Sequence, residues 1–450
     1  MTAMPAPLPS IRLLRQTKPQ PKIDDVYATA RSTWLNSATA RRIRTGMSIA
    51  VGCGSRGIKN HGVLAKATVD AVLELGAKPF VVAAMGSHGG ATAEGQRSLL
   101  AHMGIDEAHL GVPVVTDMDA ESIGTNAWGE PVWWDRNALK ADGVVTVSRI
   151  KPHTDFRGEF ESGILKMLVI GLGKRHGANQ HHSYGVRGLK EMMPDSAKVI
   201  LRETKFLGGL GILENASEET AELEVVDRDD LFVREPVLLK RAFELLGRLP
   251  FEQIDCLVIG ELGKNYSGAG IDPNVVGRLL MEAHPHMETN RPSITRMCVL
   301  DVSPESDGNG TGIGIADLTT TRAIAAIDRG PFEMNNLTAR FLWRSKLPFA
   351  FPTDRACIDM GLETCWQPKL EKVRLCLIPN TLELAELWAS EPLVEEARSL
   401  PHIEVTDVVR DLPFDAAGSL NQEVLFPHST RGRRKSLAAA HGTAAGFATS

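Results

Sequence analysis

From Met47 onward, short apolar runs that end in glycine alternate with longer amphipathic stretches. Residues 47–54 (MSIAVGCG) are a run of the length of one buried strand. Residues 61–77 (HGVLAKATVDAVLELGA) carry an apolar stripe at helical spacing, closed by Gly76. A second run, 78–90 (KPFVVAAMGSHGG), predicts a strand entering a glycine-rich loop. A helix follows over 92–104, with Thr92 placed to cap it and Gly104 to end it. Residues 141–153 (ADGVVTVSRIKPH) predict a third strand, leaving through a proline-containing loop. Strands alternating with helices imply a mostly parallel sheet covered by helices, with ligands bound where loops leave the carboxyl ends of strands.

The grammar is interrupted around 225–250, where REPVLLKRAFELLGRLP predicts a connecting helix, and it resumes in 251–273 and 296–320. The expected fold class is α/β: two α/β domains with mostly parallel sheets and an active-site cleft between them. The expected organisation is an extended segment 1–22, a first α/β domain 23–235, a second 236–420 and a disordered basic tail 421–450. No solenoid-type repeat is present.

Composition narrows the class. The 450 residues are 43% hydrophobic and 23% charged, with a formal net charge of -5. A nucleic-acid partner, which calls for a basic domain, finds no support. No apolar run approaches the roughly 18 residues that span a bilayer, so no membrane partner is expected. The N-terminal stretch has no long apolar core ahead of a cleavage site, so it is not read as a signal peptide. Six cysteines without a C-x-x-C pair argue against structural zinc and fit reduced thiols in the cytoplasm.

Four loops carry candidate chemistry. Gly54 to Asn60, with Ser55, Arg56 and Lys59, offers backbone amides and cations to a phosphate or carboxylate; a tight turn with two solvated cations is the plain alternative. His88, at a strand end among glycines, is placed for proton exchange; the alternative is a surface histidine. The stretch 149–182 is the densest, with His153, Asp155, Arg157, Glu159, Glu161, Lys166, His176, His181 and His182. Within it Lys166 stands in the apolar run SGILKMLVIGLG. A buried ammonium is costly unless paired or consumed. Lys166 is therefore paired with a carboxylate such as Glu161, reactive as a desolvated amine, or snorkelling at a helix edge. The fourth loop, 261–273, places Lys264 and Asn265 at a strand end of the second domain as binders of an anion and a hydroxyl.

On GSHGGAT, KPHTDFRGEFESGILKMLVIGLGK and the following HH, the chain resembles the lactate racemase family, best over residues 45–200. It is most similar to a shorter subgroup that shares the N-terminal domain. The resemblance implies a racemase or epimerase of small 2-hydroxy acids that uses a nickel-pincer nucleotide, the nickel complex of pyridinium-3,5-bisthiocarboxylic acid mononucleotide. By that resemblance Lys166 takes the place of the tethering lysine. His182 takes the place of the nickel-binding histidine, with His181 as the other candidate. His88 and His153 take the places of the two catalytic histidines. Ser55, Arg56, Lys59 and Lys264 would contact the cofactor phosphate or the substrate carboxylate. The expected partners are the substrate and the enzymes that make the cofactor. The family's first loop usually reads Asp-Arg-Thr-Arg; this chain has Gly-Ser-Arg-Gly, and a longer spacing from His153 to Lys166. Two rival classes are a cofactor-free protein that binds a small anion, and a hydrolase or lyase with another divalent metal at His88, His153 and His182.

Overall fold

The computed structural model describes residues 8–55, 58–282, 284, 289 and 291–434; Arg56 and the end of the tail lie outside the described residues. The chain forms two units, one of residues 20–246 and one combining 1–19 with 247–450.

The first unit is built on a six-stranded sheet. Its order is Val114–Val115, Lys78–Ala83, Ser48–Cys53, Gly143–Arg149, Phe206–Glu214 and Thr220–Asp227. All pairings are parallel except the last. The three expected strands and both expected helices, His61–Glu74 and Ala93–His102, are present. Thr92 caps the second helix by accepting from Gly95 N at 3.1 Å. The parallel strands are buried almost end to end, which is why they read as continuous apolar runs. Phe206–Glu214 escaped the sequence reading because three of its nine residues are glycines. One of them, Gly209, lies where a side chain would run into Thr146 Oγ1 and Ile164, so its lack of a side chain lets the next layer pack close.

Three sequence expectations are corrected. The helix Leu231–Leu245 is not a connector between domains: Leu231, Leu238, Leu239, Ala242 and Leu245 are buried and Leu238 reaches Gly211 of the first sheet. The boundary therefore falls at 246/247, not at 235/236. The N-terminal segment does not simply extend over the surface. Ile11–Gln16 is a strand of the second unit's sheet, between Glu386–Ser390 and Ile403–Arg410. Residues 421–434 of the expected disordered tail are held by side-chain contacts. Arg431 pairs with Glu261 at 2.8 Å and Asp301 at 3.0 Å, and Thr430 N donates to Glu383 at 3.0 Å.

The second unit's sheet has eight strands in the order Phe349–Phe351, Leu318–Thr320, Ser293–Val299, Gln253–Ile259, Leu375–Ile378, Glu386–Ser390, Ile11–Gln16 and Ile403–Arg410. The first five are parallel and the rest antiparallel. The six cysteines are free and buried, serving as small core side chains. Among the described residues no helix is long and apolar enough to cross a membrane.

The N-terminal strand buries Ile11, Leu13 and Leu14, each worth ~1.5–3 kcal/mol. That sum approaches the net stability of a domain. Deleting residues 1–19 is expected to abolish or sharply lower the second unit's melting transition while sparing the first. Scanning calorimetry reads both.

Candidate functional site

The site grows from one edge of the first sheet. Ser48–Cys53, Lys78–Ala83 and Gly143–Arg149 are parallel neighbours, so the loops carrying Ser55, His88 and His153 leave the same edge. Ser55 Oγ is hydrogen-bonded to His88 Nδ1, which joins the first two loops. His88 is exposed.

The third loop is a closed loop. Its ends meet where Lys151 and Ser162 exchange backbone hydrogen bonds of 3.0 and 3.3 Å. Inside it, the buried carboxylate of Glu161 accepts from His153 N at 2.6 Å and from Gly158 N at 3.1 Å. Burial raises this carboxyl, opposed by those bonds and by Arg157. Glu161 therefore serves the backbone of the His153 loop and is not the hydrogen-bonded partner of Lys166.

Lys166 is half-buried, and its Nζ lies 2.5 Å from His153 Nε2. Asp155 N donates to His153 Nδ1 at 3.0 Å. Burial, reinforced by Lys166, holds His153 well below the ordinary imidazole value, so the ring is neutral near pH 7. Lys166 Nζ and His153 Nε2 lie at hydrogen-bond distance, with the positive charge of Lys166 among the causes that keep the ring neutral.

Lys166 begins a continuous helical stretch: Ile164–Lys166, a wider π-helical turn Met167–Gly171, then Lys174–Ser183. This stretch packs over the same loops. Met167 abuts Gly54, and Gly86 N donates to Gly171 O at 3.1 Å. Such π turns inside helices are frequent at functional sites. Near its end, His181 is buried with Nδ1 bonded to Gly177 O at 2.8 Å and Nε2 to Ser196 Oγ at 3.1 Å. Both ring nitrogens serve structure. His182 is half-buried, and its charge acts on His153. His176 stacks on Trp133 at 4.8 Å.

The remaining predicted cations are engaged elsewhere. Lys59 pairs with Glu219, while its backbone N donates to Glu214 at 2.9 Å. Glu214 in turn pairs with Arg149 at 2.7 Å. Lys264, in the second unit, donates to Gly268 O, and its backbone N is bonded to Ser306 Oγ at 2.9 Å.

Sequence reasoning missed two groups. Lys174 is fully buried, bonded to Asp135 Oδ2 and to Ala83 O, each at 2.7 Å. Glu235 is buried and accepts from Leu165 N at 2.9 Å, one residue before Lys166. A signal for it existed: Glu235 shares a helical stripe with Leu231, Leu238 and Leu239, a carboxylate on an apolar face.

Complete burial raises the Glu235 carboxyl to about 7. The folded state thus holds this proton more tightly than the unfolded chain, whose Glu titrates near 4.3. Its contribution is full below the unfolded value and is lost as pH rises through about 7. Glu235→Gln is expected to flatten the stability–pH curve between about 4.3 and 7, by ~4 kcal/mol at most, in urea melts. Lys174→Met leaves Asp135 buried without its cation, and a loss of ~3–5 kcal/mol is expected. Adding Asp135→Asn, which keeps the Oδ1 cap on Ala138 N, is expected to recover part of it in the same measurement.

Residues 54–227 match a family described as a domain of unknown function, DUF362. That span contains Ser55, His88, His153, Lys166 and His182. No curated protein matches the chain. Among solved structures, the chain is similar to the lactate racemase apoprotein from Thermoanaerobacterium thermosaccharolyticum. The TM-score is 0.51 at 12% sequence identity, over 83% of this chain and 98% of that one. At that identity the likeness is one of fold: the chain has a lactate racemase-like α/β fold.

Proposed function

We propose that the chain is an isomerase that racemises or epimerises a small 2-hydroxy acid with a nickel-pincer nucleotide attached at Lys166. The observation that supports this most is the 2.5 Å contact between Lys166 Nζ and His153 Nε2. It sets the amine against a catalytic-histidine candidate, and conversion of that amine into an amide-type linkage removes the cost of an ammonium in this setting.

The donor set fits the group. His181 is committed to Gly177 and Ser196, and His182 is the proposed nickel ligand. One imidazole and one acylatable amine suit a group that brings its own sulfurs. When bound, the group supplies the centre that takes hydride from C2 of the substrate. The side chains handle the proton. His88, with Nδ1 held by Ser55, exchanges the hydroxyl proton at Nε2. His153, neutral and with Nδ1 accepting from Asp155 N, donates a hydrogen bond from Nε2 to the developing carbonyl oxygen. Ser55, Arg56 and Lys59 are proposed for the cofactor phosphate and the substrate carboxylate. Enzymes that make the cofactor are the proposed partners, and the cytoplasm the proposed location.

The test is expression with and without the cofactor-making enzymes, followed by metal analysis, peptide mass spectrometry and chiral assays on a panel of 2-hydroxy acids. Stoichiometric nickel, an adduct on Lys166 and interconversion of one enantiomeric pair are expected. Lys166→Ala is expected to lose the adduct. His182→Ala is expected to lose nickel but keep the adduct, and His181→Ala to keep both. A protein that takes up neither nickel nor adduct, yet binds a small anion tightly with or without His153, is the cofactor-free binding protein instead.

A further inference from the structure

We propose that Glu235 is the positioning residue that holds Lys166 against His153; the proposal rests on the reading of Lys166 as the reactive amine. The helical stretch that carries Lys166 starts without a cap of its own, because the residue before it, Gly163, has no side chain. The cap comes from a different helix. Glu235, on Leu231–Leu245, accepts from Leu165 N at 2.9 Å. The approach depends on Gly163: a Cβ there would run into Glu235 Oε1. Gly163 has an extended backbone that any residue adopts, so clearance for the carboxylate, not a left-handed conformation, is what glycine provides.

The placement is costly, which marks it as more than packing. Glu235 is 1% exposed, and its Oε1 has no hydrogen-bond partner. A leucine at 235 would fill similar volume on a stripe already formed by Leu231, Leu238 and Leu239, without the cost of burying a carboxyl. What a leucine cannot do is accept from Leu165 N. That bond fixes the backbone immediately before Lys166, in a stretch of three α-helical residues before the wider turn at Met167. The direction in which the Lys166 side chain leaves the helix is set there.

The experiment is trace acetylation of the purified full chain with acetic anhydride near neutral pH, read by peptide mass spectrometry. The amine attacks the anhydride, forming an amide and releasing acetate and a proton. Exposed Lys140 is the internal standard. Three variants are compared with the parent: Glu235→Leu, Glu235→Gln and Gly163→Ala. A lysine near 10.4 is almost wholly protonated at neutral pH, and each unit by which its surroundings lower that value raises its neutral fraction about tenfold. A fall of about tenfold or more in Lys166 labelling is therefore expected for Glu235→Leu and Gly163→Ala, with Lys140 unchanged. Glu235→Gln keeps an acceptor oxygen and is expected to stay within about twofold of the parent. Unchanged labelling in all three variants, or the same change in Gln and Leu, overturns the proposal, since the cap would then not set the amine. If Glu235→Leu does not fold, Gly163→Ala tests the same contact from the other side. The assay uses no nickel and no substrate, so its outcome is independent of whether the racemase reading holds.

Discussion

The site depends first on an ammonium enclosed by protein. Lys174 has no exposed surface, and two of its three N–H donors meet Ala83 O and Asp135 Oδ2. Ala83 ends the strand whose loop carries His88. Asp135 ends the hairpin strand Pro131–Asp135, and Lys174 itself opens the helix that ends near His182. One charge thus ties three elements together. A buried ion pair is a weak source of net stability, because desolvating both ions offsets most of the attraction. It is a strong source of geometry, because any displacement that parts the ions leaves a bare charge in a low dielectric. The lysine also sits at φ 52°, a left-handed backbone that a residue with a side chain adopts rarely. The chain turns sharply there, and the ion pair fixes the turn.

Lys166 and Lys174 show where reading a sequence succeeds and where it stops. The apolar run around Lys166 marks a lysine in an unusual setting, and the amine does meet His153. The fully buried lysine is nevertheless Lys174, which stands beside Arg175 and His176 in a polar-looking stretch. Local hydropathy records neighbours in sequence, whereas burial here comes from Ala83 and Asp135, some 91 and 39 positions away by numbering. The same limit governs the fold. The parallel strands were legible because both faces are covered, so every residue is apolar. Phe206–Glu214 was not, since its glycines make room for Thr39 and Thr146. Ile11–Gln16 was not, because its partners lie more than 370 positions further along the chain.

The candidate site follows the same division. His88 and His153 were legible as residue types in suggestive loops, and His182 as one of an adjacent histidine pair. The hydrogen bond of Ser196 to His181 was not, because Ser196 comes from another helix. Glu161 was legible as a carboxylate near Lys166, but its acceptor capacity goes to the backbone of His153 and Gly158. That diversion matters chemically. A carboxylate paired with Lys166 would have favoured the ammonium. With that carboxylate turned to amides, Lys166 meets the His153 ring directly.

Glu161 is one of three buried carboxylates that act alike. Glu214 accepts from Lys59 N in the first loop, Glu161 from His153 N and Gly158 N in the third, and Glu235 from Leu165 N under Lys166. In each, burial pushes the carboxyl up, against the bonds it receives. A carboxylate suits this task better than an amide side chain. It offers two acceptor oxygens and no donor needing a partner of its own, and its charge shortens the bonds it makes. Loops at the carboxyl edge of a parallel sheet have no ladder to hold them, so their amides must be satisfied one at a time. Buried acceptors reaching those amides from neighbouring elements give loops the precision of strands. The stability they forgo is the physical reason the histidines and the lysine at this edge hold one geometry.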